Sequence, residues 1–142
     1  MTGERQMVPM DRYEALSLLG SVSMGRVVFT DQALPAIRPV NHLVDGNGGV
    51  IIRTHVGSAI SSLVHASGSG VVLAFEADDI DQEKHTGWSV VVTGMASLVE
   101  DAEAVSHYEH ALRSWVNYPM DQIIRIQPDL VTGYWLTADG SP

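Results

Sequence analysis

Ala36-Ile37-Arg38-Pro39-Val40-Asn41-His42-Leu43-Val44, then Asp45-Gly46-Asn47-Gly48-Gly49, then Val50-Ile51-Ile52-Arg53-Thr54-His55 is the stretch on which the fold turns. Two β-branched, apolar runs flank a cluster of Asp, Asn and Gly, the pattern of a hairpin. Alternation puts Ala36, Arg38, Val40, His42 and Val44 on one face of the first run and Ile37, Pro39, Asn41 and Leu43 on the other. Arg38 therefore interrupts an apolar face. Pro39 has no N–H to give to a sheet ladder, so this strand lies at an edge or is locally bulged, with backbone groups open to a ligand. In the second run Arg53 and His55 share a face with Ile51, and Thr54 sits opposite.

Working outward, Met10–Gly20 reads as an amphipathic helix with Asp11 as N-cap, Glu14 completing a capping box and Gly20 as a left-handed stop. Gly25–Thr30 is a strand ending at the turn Asp31-Gln32. Gly57–Ala66 is a short helix, Val71–Ala77 a strand, and 78–83 an acidic loop. Gly87–Glu100 is a long strand in which Gly94 marks a bulge or a close backbone approach. Asp101–Trp115 is a helix capped by Asp101, and two strands, Ile123–Ile126 and Leu130–Leu136, close the chain. Short strands at this spacing argue for a mainly β small barrel or sandwich with peripheral helices.

The chain has 142 residues, a length at which one core can bury roughly 68–70% of the unfolded surface. We expect a single domain over 1–142 with its core at about 13–136. Eight Lys+Arg against 17 Asp+Glu leave a net charge of −9, which argues against nucleic acid or an anionic membrane as partner. With no apolar run of signal or spanning length, a cytoplasmic location is expected. The absence of cysteine removes disulfides, thiolate metal sites and cysteine nucleophiles. Glu103, His107 and His110 share a helix face, but the spacing is common and no second cluster joins them, so no metal site is expected. No nucleophile elbow supports a serine triad.

Arginine is the residue of choice for gripping phosphate or carboxylate, and Arg38 and Arg53 stand on neighbouring strands. Each could equally snorkel or pair with an acid such as Glu76. The run Arg53-Thr54-His55-Val56-Gly57-Ser58-Ala59 passes from a strand through glycine into a helix start, where N–H groups, two hydroxyls and a cation suit a phosphate. Neither a Walker loop nor a dinucleotide fingerprint is present. Trp88, at the start of the long strand beside Ser89, fits core packing or the wall of a planar site.

Taken in order, Gly25–Asp31, Leu34–His42, Ile52–Ser58, Ala74–Asp78 and Gly87–Gly94 resemble the pyridoxamine phosphate oxidase-like, FMN-binding split-barrel family. The likeness is closest to its small nitroimidazole-reductase-like actinobacterial members, and it runs from about Tyr13 to Leu136. It implies a six-stranded antiparallel split β-barrel that forms a homodimer, with flavin in the grooves between subunits. Carried over residue by residue, flavin contacts fall on Arg38, Pro39, Val40, Asn41 and His42. The phosphate stretch falls on Arg53, Thr54, Ser58 and Ala59, and the turn into the long strand on Trp88 and Ser89. The implied activity is hydride transfer through FMN between a nicotinamide donor and a small electron-poor acceptor. No catalytic acid or base is implied, and His42 is the first choice were one needed. The family also holds deazaflavin-coenzyme and haem binders, so a deazaflavin-dependent reductase or a non-catalytic flavin or haem carrier is the alternative. Members that bind FMN tightly carry a basic residue after the serine, where this chain has Ala59-Ile60-Ser61. Loss of one charge-assisted phosphate contact implies roughly tenfold to a hundredfold weaker binding.

Overall fold

A computed structural model describes residues 5–55, 58–67, 70–112 and 121–138. In chain order these form β1 (Arg5–Pro9), α1 (Arg12–Gly20), β2 (Met24–Asp31), β3 (Leu34–Val44), β4 (Val50–His55) and α2 (Ala59–Ser67). There follow β5 (Val71–Ile80), β6 (Gly87–Leu98), α3 (Ala102–Ala111), β7 (Asp121–Ile126) and β8 (Leu130–Ala138). The strands pair antiparallel in the order β1-β8-β6-β5-β2-β3-β4-β7, and β6 also pairs with β7. That last pairing closes β6-β5-β2-β3-β4-β7 into a six-stranded barrel, to which β8 and β1 are added. The expected split barrel is thus the observed one. No described helix is long and apolar enough to cross a membrane.

The barrel closes because β6 changes partner along its length. Its Gly87–Thr93 part pairs with β8, and its Ala96–Leu98 part with β7. Gly94 sits at the changeover. A Cβ there would collide with the Gln127 carbonyl oxygen, so the expected close backbone approach is real. Alternation fills the interior: Val27 and Phe29 of β2, Leu73 and Phe75 of β5, and Trp88, Val90 and Val92 of β6 all point inward and are buried. Helix α1 contributes Ala15 and Leu19 to this core, and α2 contributes Ile60 and Val64. Helix α3 packs elsewhere, over a second small cluster of Ile51, Leu112 and Ile123.

Several boundaries differ from the sequence reading. β1 was not anticipated; it is fixed by its ladder with β8, from Arg5↔Ala138 to Pro9↔Tyr134. β5 continues through Asp78, Asp79 and Ile80, where an acidic loop was expected, because β6 supplies partners as far as Gly87. Asp11 does cap α1, accepting from the Glu14 N–H at 2.7 Å. Glu14 does not complete the box, since its carboxylate accepts from Trp135 Nε1 at 2.6 Å. Gly20 is not a left-handed stop: it ends the helix, and Ser21 follows it in right-handed geometry, its N–H donating to the Leu18 carbonyl. Asp101 caps α3 as expected, through the Ala104 N–H. The stretch assigned to α3 beyond Leu112, and Val56 and Gly57, lie outside the described residues.

A candidate ligand site in the split of the barrel

β3 and β4 start together and then part. From the hairpin turn they pair over Val44↔Val50, Leu43↔Ile51 and His42↔Ile52. Beyond that point β3 continues along β2, from Asn41↔Met24 to Leu34↔Asp31, while β4 continues along β7, from Arg53↔Ile123 to His55↔Asp121. Residues Pro35–Asn41 of β3 therefore have a strand on one side only among the described residues.

The hydrogen-bond parity says which groups face the opening. His42 N–H donates to the Ser23 carbonyl at 3.0 Å, so the even-numbered residues of β3 bond to β2. The odd-numbered residues then direct their backbone groups toward the side without a strand. Pro35 and Pro39 are both odd. Their missing donors cost no ladder bond, which is why two prolines are tolerated in an eleven-residue strand. The Pro39 reading as an edge position holds, and the edge exposes Ile37 N–H and the carbonyls of Pro35, Ile37 and Pro39 to whatever lies in the split.

Side chains around the split separate by face. Ala36 and Val40 pack on the core, so the even face of β3 is the inner one, and Arg38 belongs to it at the open mouth, where it is exposed. On β4 the inner face carries Val50, Ile52 and Thr54. Thr54 Oγ1 lies 2.6 Å from Ser58 Oγ, and Ser58 Oγ accepts from the Ser61 N–H at 3.1 Å, capping α2. Ser61, buried, donates to Gln122 Oε1, and Gln122 also reaches His65. Arg53 is on the opposite face of β4. One guanidinium nitrogen donates to the Glu109 carbonyl at 3.2 Å and the Leu112 carbonyl at 3.0 Å, at the C-terminal end of α3.

Thus Arg38–Asn41 lie on the part of β3 that has left β4, Thr54 and Ser58 meet where β4 hands over to α2 with Ala59 next in the chain, and Arg53 turns toward α3. His42 is placed differently from its neighbours. It is 2% exposed, its Nε2 lies 2.8 Å from the Leu19 carbonyl, and its ring packs against Phe75. Burial lowers its pKa, only partly offset by the Leu19 and Ser23 carbonyls, so it is a neutral imidazole in the core. Trp88 is likewise buried in the barrel core, and Ser89 lies half-buried on the outer face between Asp78 and Tyr134. Within one chain neither Trp88 nor Ser89 reaches the split.

The outer face of the sheet holds a feature the sequence did not single out. Arg26 Nη1 lies 3.3 Å from Glu76 Oε1 and 3.5 Å from Asp78 Oδ2. It is Arg26, not Arg38 or Arg53, that pairs with Glu76. The signal was available in strand alternation, since Arg26 and Glu76 both occupy outward positions. Burial and the neighbouring Asp78 push Glu76 up to about 7 in spite of Arg26. Beside them opens a cleft of about 460 Å³ lined by Ser21–Arg26, Pro39 and Asp78. Among the described residues, no three His, Asp or Glu side chains converge as metal ligands.

The sequence pattern described as pyridoxamine 5'-phosphate oxidase matches residues 11–135. This chain belongs to that family. It is 54% identical over 136 residues to the uncharacterized protein Rv0080 of Mycobacterium tuberculosis, covering 95% of this chain and 89% of that one. Among solved structures it resembles the FAD binding protein from Mycobacterium smegmatis, at 29% identity and a TM-score of 0.70 over 93% of this chain and all of that one. A FAD-binding protein from Mesorhizobium loti, at 16% identity, shares the fold with a TM-score of 0.75, covering 94% and 99% of the two chains.

Proposed function

We propose that this family member is a flavin-dependent oxidoreductase, in which FMN lies in the split between β3 and β4 and passes a hydride from a nicotinamide donor to a small electron-poor acceptor. The observation that carries the reading is the one-sided edge Pro35–Asn41 facing the hydroxyl pair Thr54–Ser58 at the start of α2. The residues fit the group. Backbone donors and acceptors of an open strand edge can meet the polar rim of a planar ring, and hydroxyls with a helix N-terminus can meet its phosphate. The M. smegmatis relative, a FAD binding protein, supports a flavin.

In this reading Ile37 N–H and the Pro39 carbonyl orient the ring edge, Val40 and Asn41 complete that wall, and Thr54, Ser58 and Ala59 receive the phosphate end. Arg38, exposed at the mouth of the split, supplies positive charge. The flavin supplies hydride acceptance and donation. His42, neutral and enclosed, holds β3 to α1 through Leu19 and moves no proton.

A homodimer belongs to the same proposal. The outer faces of β3, β2, β5, β6 and β8 carry a row of paired residues, Ile37, Val28, Ala74, Thr93 and Leu130, that no described helix covers. Ile37 is 66% and Leu130 67% exposed, too much apolar surface in one row for a face left in water.

The test is an absorption spectrum of the purified protein, with mass spectrometry of the released cofactor and sedimentation at micromolar concentration. A flavin band, released FMN and a dimer are expected, with turnover when a nicotinamide donor and a nitroaromatic acceptor are added. A Soret band, or a deazaflavin mass, would replace FMN with the alternative cofactor. A flavin that no donor reduces would make the protein a carrier.

A further inference from the structure

We infer that Gln122 is a positioning residue for the ligand's phosphate end: through Ser61 it bolts the first turn of α2 to the barrel, and so fixes where the Thr54–Ser58 hydroxyl pair points. This rests on the flavin reading above and places Gln122 behind the residues that would meet the ligand. Gln122 of β7 and Thr54 of β4 are cross-strand partners, and parity with Ile124 and Ile52 puts both on the inner face. From there the side chains form a chain that returns to its start. Thr54 Oγ1 lies 2.6 Å from Ser58 Oγ, Ser58 Oγ accepts from the Ser61 N–H at 3.1 Å, and Ser61 Oγ donates to Gln122 Oε1, beside Thr54 again. Ser61 is 2% exposed, so losing Gln122 would leave a buried hydroxyl unsatisfied. One turn further along α2, Gln122 Nε2 donates to His65 Nε2 at 2.8 Å.

Apolar packing alone would let this helix slide. Ile60 and Val64 seat α2 in the core, but such contacts have no direction, and a helix resting on them can shift along its axis at small cost. The amide supplies what they lack. It carries an acceptor and a donor on one rigid group, and Ser61 and His65 stand one helical turn apart, so both are met only when α2 lies at one depth and one rotation. The placement counts because Ser58, Ala59, Ile60, Ser61 and Ser62 carry no charge: this end of α2 offers a phosphate only hydrogen bonds, which weaken steeply with misalignment.

The experiment compares riboflavin and FMN binding by flavin fluorescence quenching in the full chain and in Q122L, Q122N, S61A and the S61A/Q122L double variant. In the unaltered protein FMN should bind more tightly than riboflavin. Q122L should lose about tenfold in FMN affinity while riboflavin affinity stays within about twofold. S61A should lose a similar amount, and the double variant little more than either single one, because both break the same contact. Q122N, whose amide sits on a stem one methylene shorter, should fall between Q122L and the unaltered protein, and it covers the case in which Q122L fails to fold. Without ligand, Q122L should exchange the Ser61 and Ser62 amide hydrogens faster, since both N–H groups bond to Ser58. Variants that melt earlier but keep the full preference for FMN would show a contact that only stabilises, which overturns the inference and leaves the flavin reading standing. Equal losses for FMN and riboflavin, or equal affinity of the unaltered protein for the two, would overturn it as well. Failure of the unaltered protein to bind either would instead remove the flavin reading itself, and this inference with it.

Discussion

The two ends of β3 obey opposite rules. From His42 to Val44 the strand is paired with β4, His42 N–H also reaches the Ser23 carbonyl, and the strand enters a hairpin locked by Asp45. That carboxylate accepts from Asn47 N–H at 2.8 Å, Gly49 N–H at 2.9 Å and Arg125 Nε at 2.7 Å. Gly48 turns the chain with a φ of 83°, a conformation glycine adopts without strain. From Leu34 to Asn41 the same strand is paired on one side only, carries two prolines, and presents Ile37 and Arg38 to the exterior. The closed end holds the barrel together and the open end is left for a ligand. Backbone donors, rather than side-chain chemistry, mark the difference: at the closed end the odd-numbered residues turn theirs to β4, and at the open end the odd-numbered positions face a side with no strand among the described residues.

Proline substitution should separate the two ends most sharply. Leu43 N–H points to Ile51, because Asp45 N–H bonds to the Gly49 carbonyl two residues on and parity repeats every second residue. Leu43→Pro removes a central ladder bond and should cost about 3 kcal/mol or more, or prevent folding. Ile37→Pro sits at the same parity on the open end and should cost less than about 1 kcal/mol. Urea melts of both variants at low protein concentration provide the comparison. Similar losses would mean that the open edge has a partner.

Next in size is Asp45→Ala, which leaves Arg125 without its carboxylate and the turn without its cap. A loss of about 2–3 kcal/mol is expected, because both charges are more than two-thirds buried. Burial pulls Asp45 upward, but the hydrogen bond from Arg125 and the two backbone N–H groups outweigh it and hold the carboxyl below its usual range. A depressed pKa contributes stability above the unfolded value of 3.8 that is lost as pH falls through the folded one. The stability difference between D45A and the unaltered protein should therefore shrink in acid and be flat above about pH 5.

Much of this was legible in the sequence, and what was not has a physical reason. The hairpin Asp45–Gly49, the edge character forced by Pro39 and the close approach at Gly94 follow from local chemistry, so they could be read one residue at a time. β1 could not, since Arg5-Gln6-Met7-Val8-Pro9 becomes a strand only by lying on β8, more than a hundred residues away. The β5 extension through Asp78 and Asp79 likewise depends on β6 and on Arg26, which gathers acids that would otherwise repel. For the candidate site, alternation correctly put Arg53 and Thr54 on opposite faces. It could not show that α3 would take up Arg53, because that contact spans 56 and 59 residues of sequence. His42 was a candidate by type and position, and only the packing of Leu19 and Phe75 reveals it as a core side chain.

The smallest effect is expected on the outer face beside the open end, where Arg26 pairs in register with both Pro39 and Glu76. Glu76 is raised from 4.5 to about 7, first by burial and then by Asp78, against the pull of Arg26. A raised pKa means that the folded state holds the proton more tightly. Its stability contribution is full below the unfolded value and is lost as pH rises through the folded one, the opposite sense to Asp45. Between about pH 4.5 and pH 7 this one group should cost the protein about 1 kcal/mol, allowing for solvent reaching the cluster. Glu76→Gln keeps the shape and cannot ionise, so its stability should exceed that of the unaltered protein at pH 8 and match it near pH 4.5. Denaturant midpoints taken across that range read the difference directly. A variant less stable than the unaltered protein at pH 8, with the gap closing toward acid, would show that Glu76 is held as a carboxylate by Arg26, and the open end would then be as firmly ion-paired as the closed one.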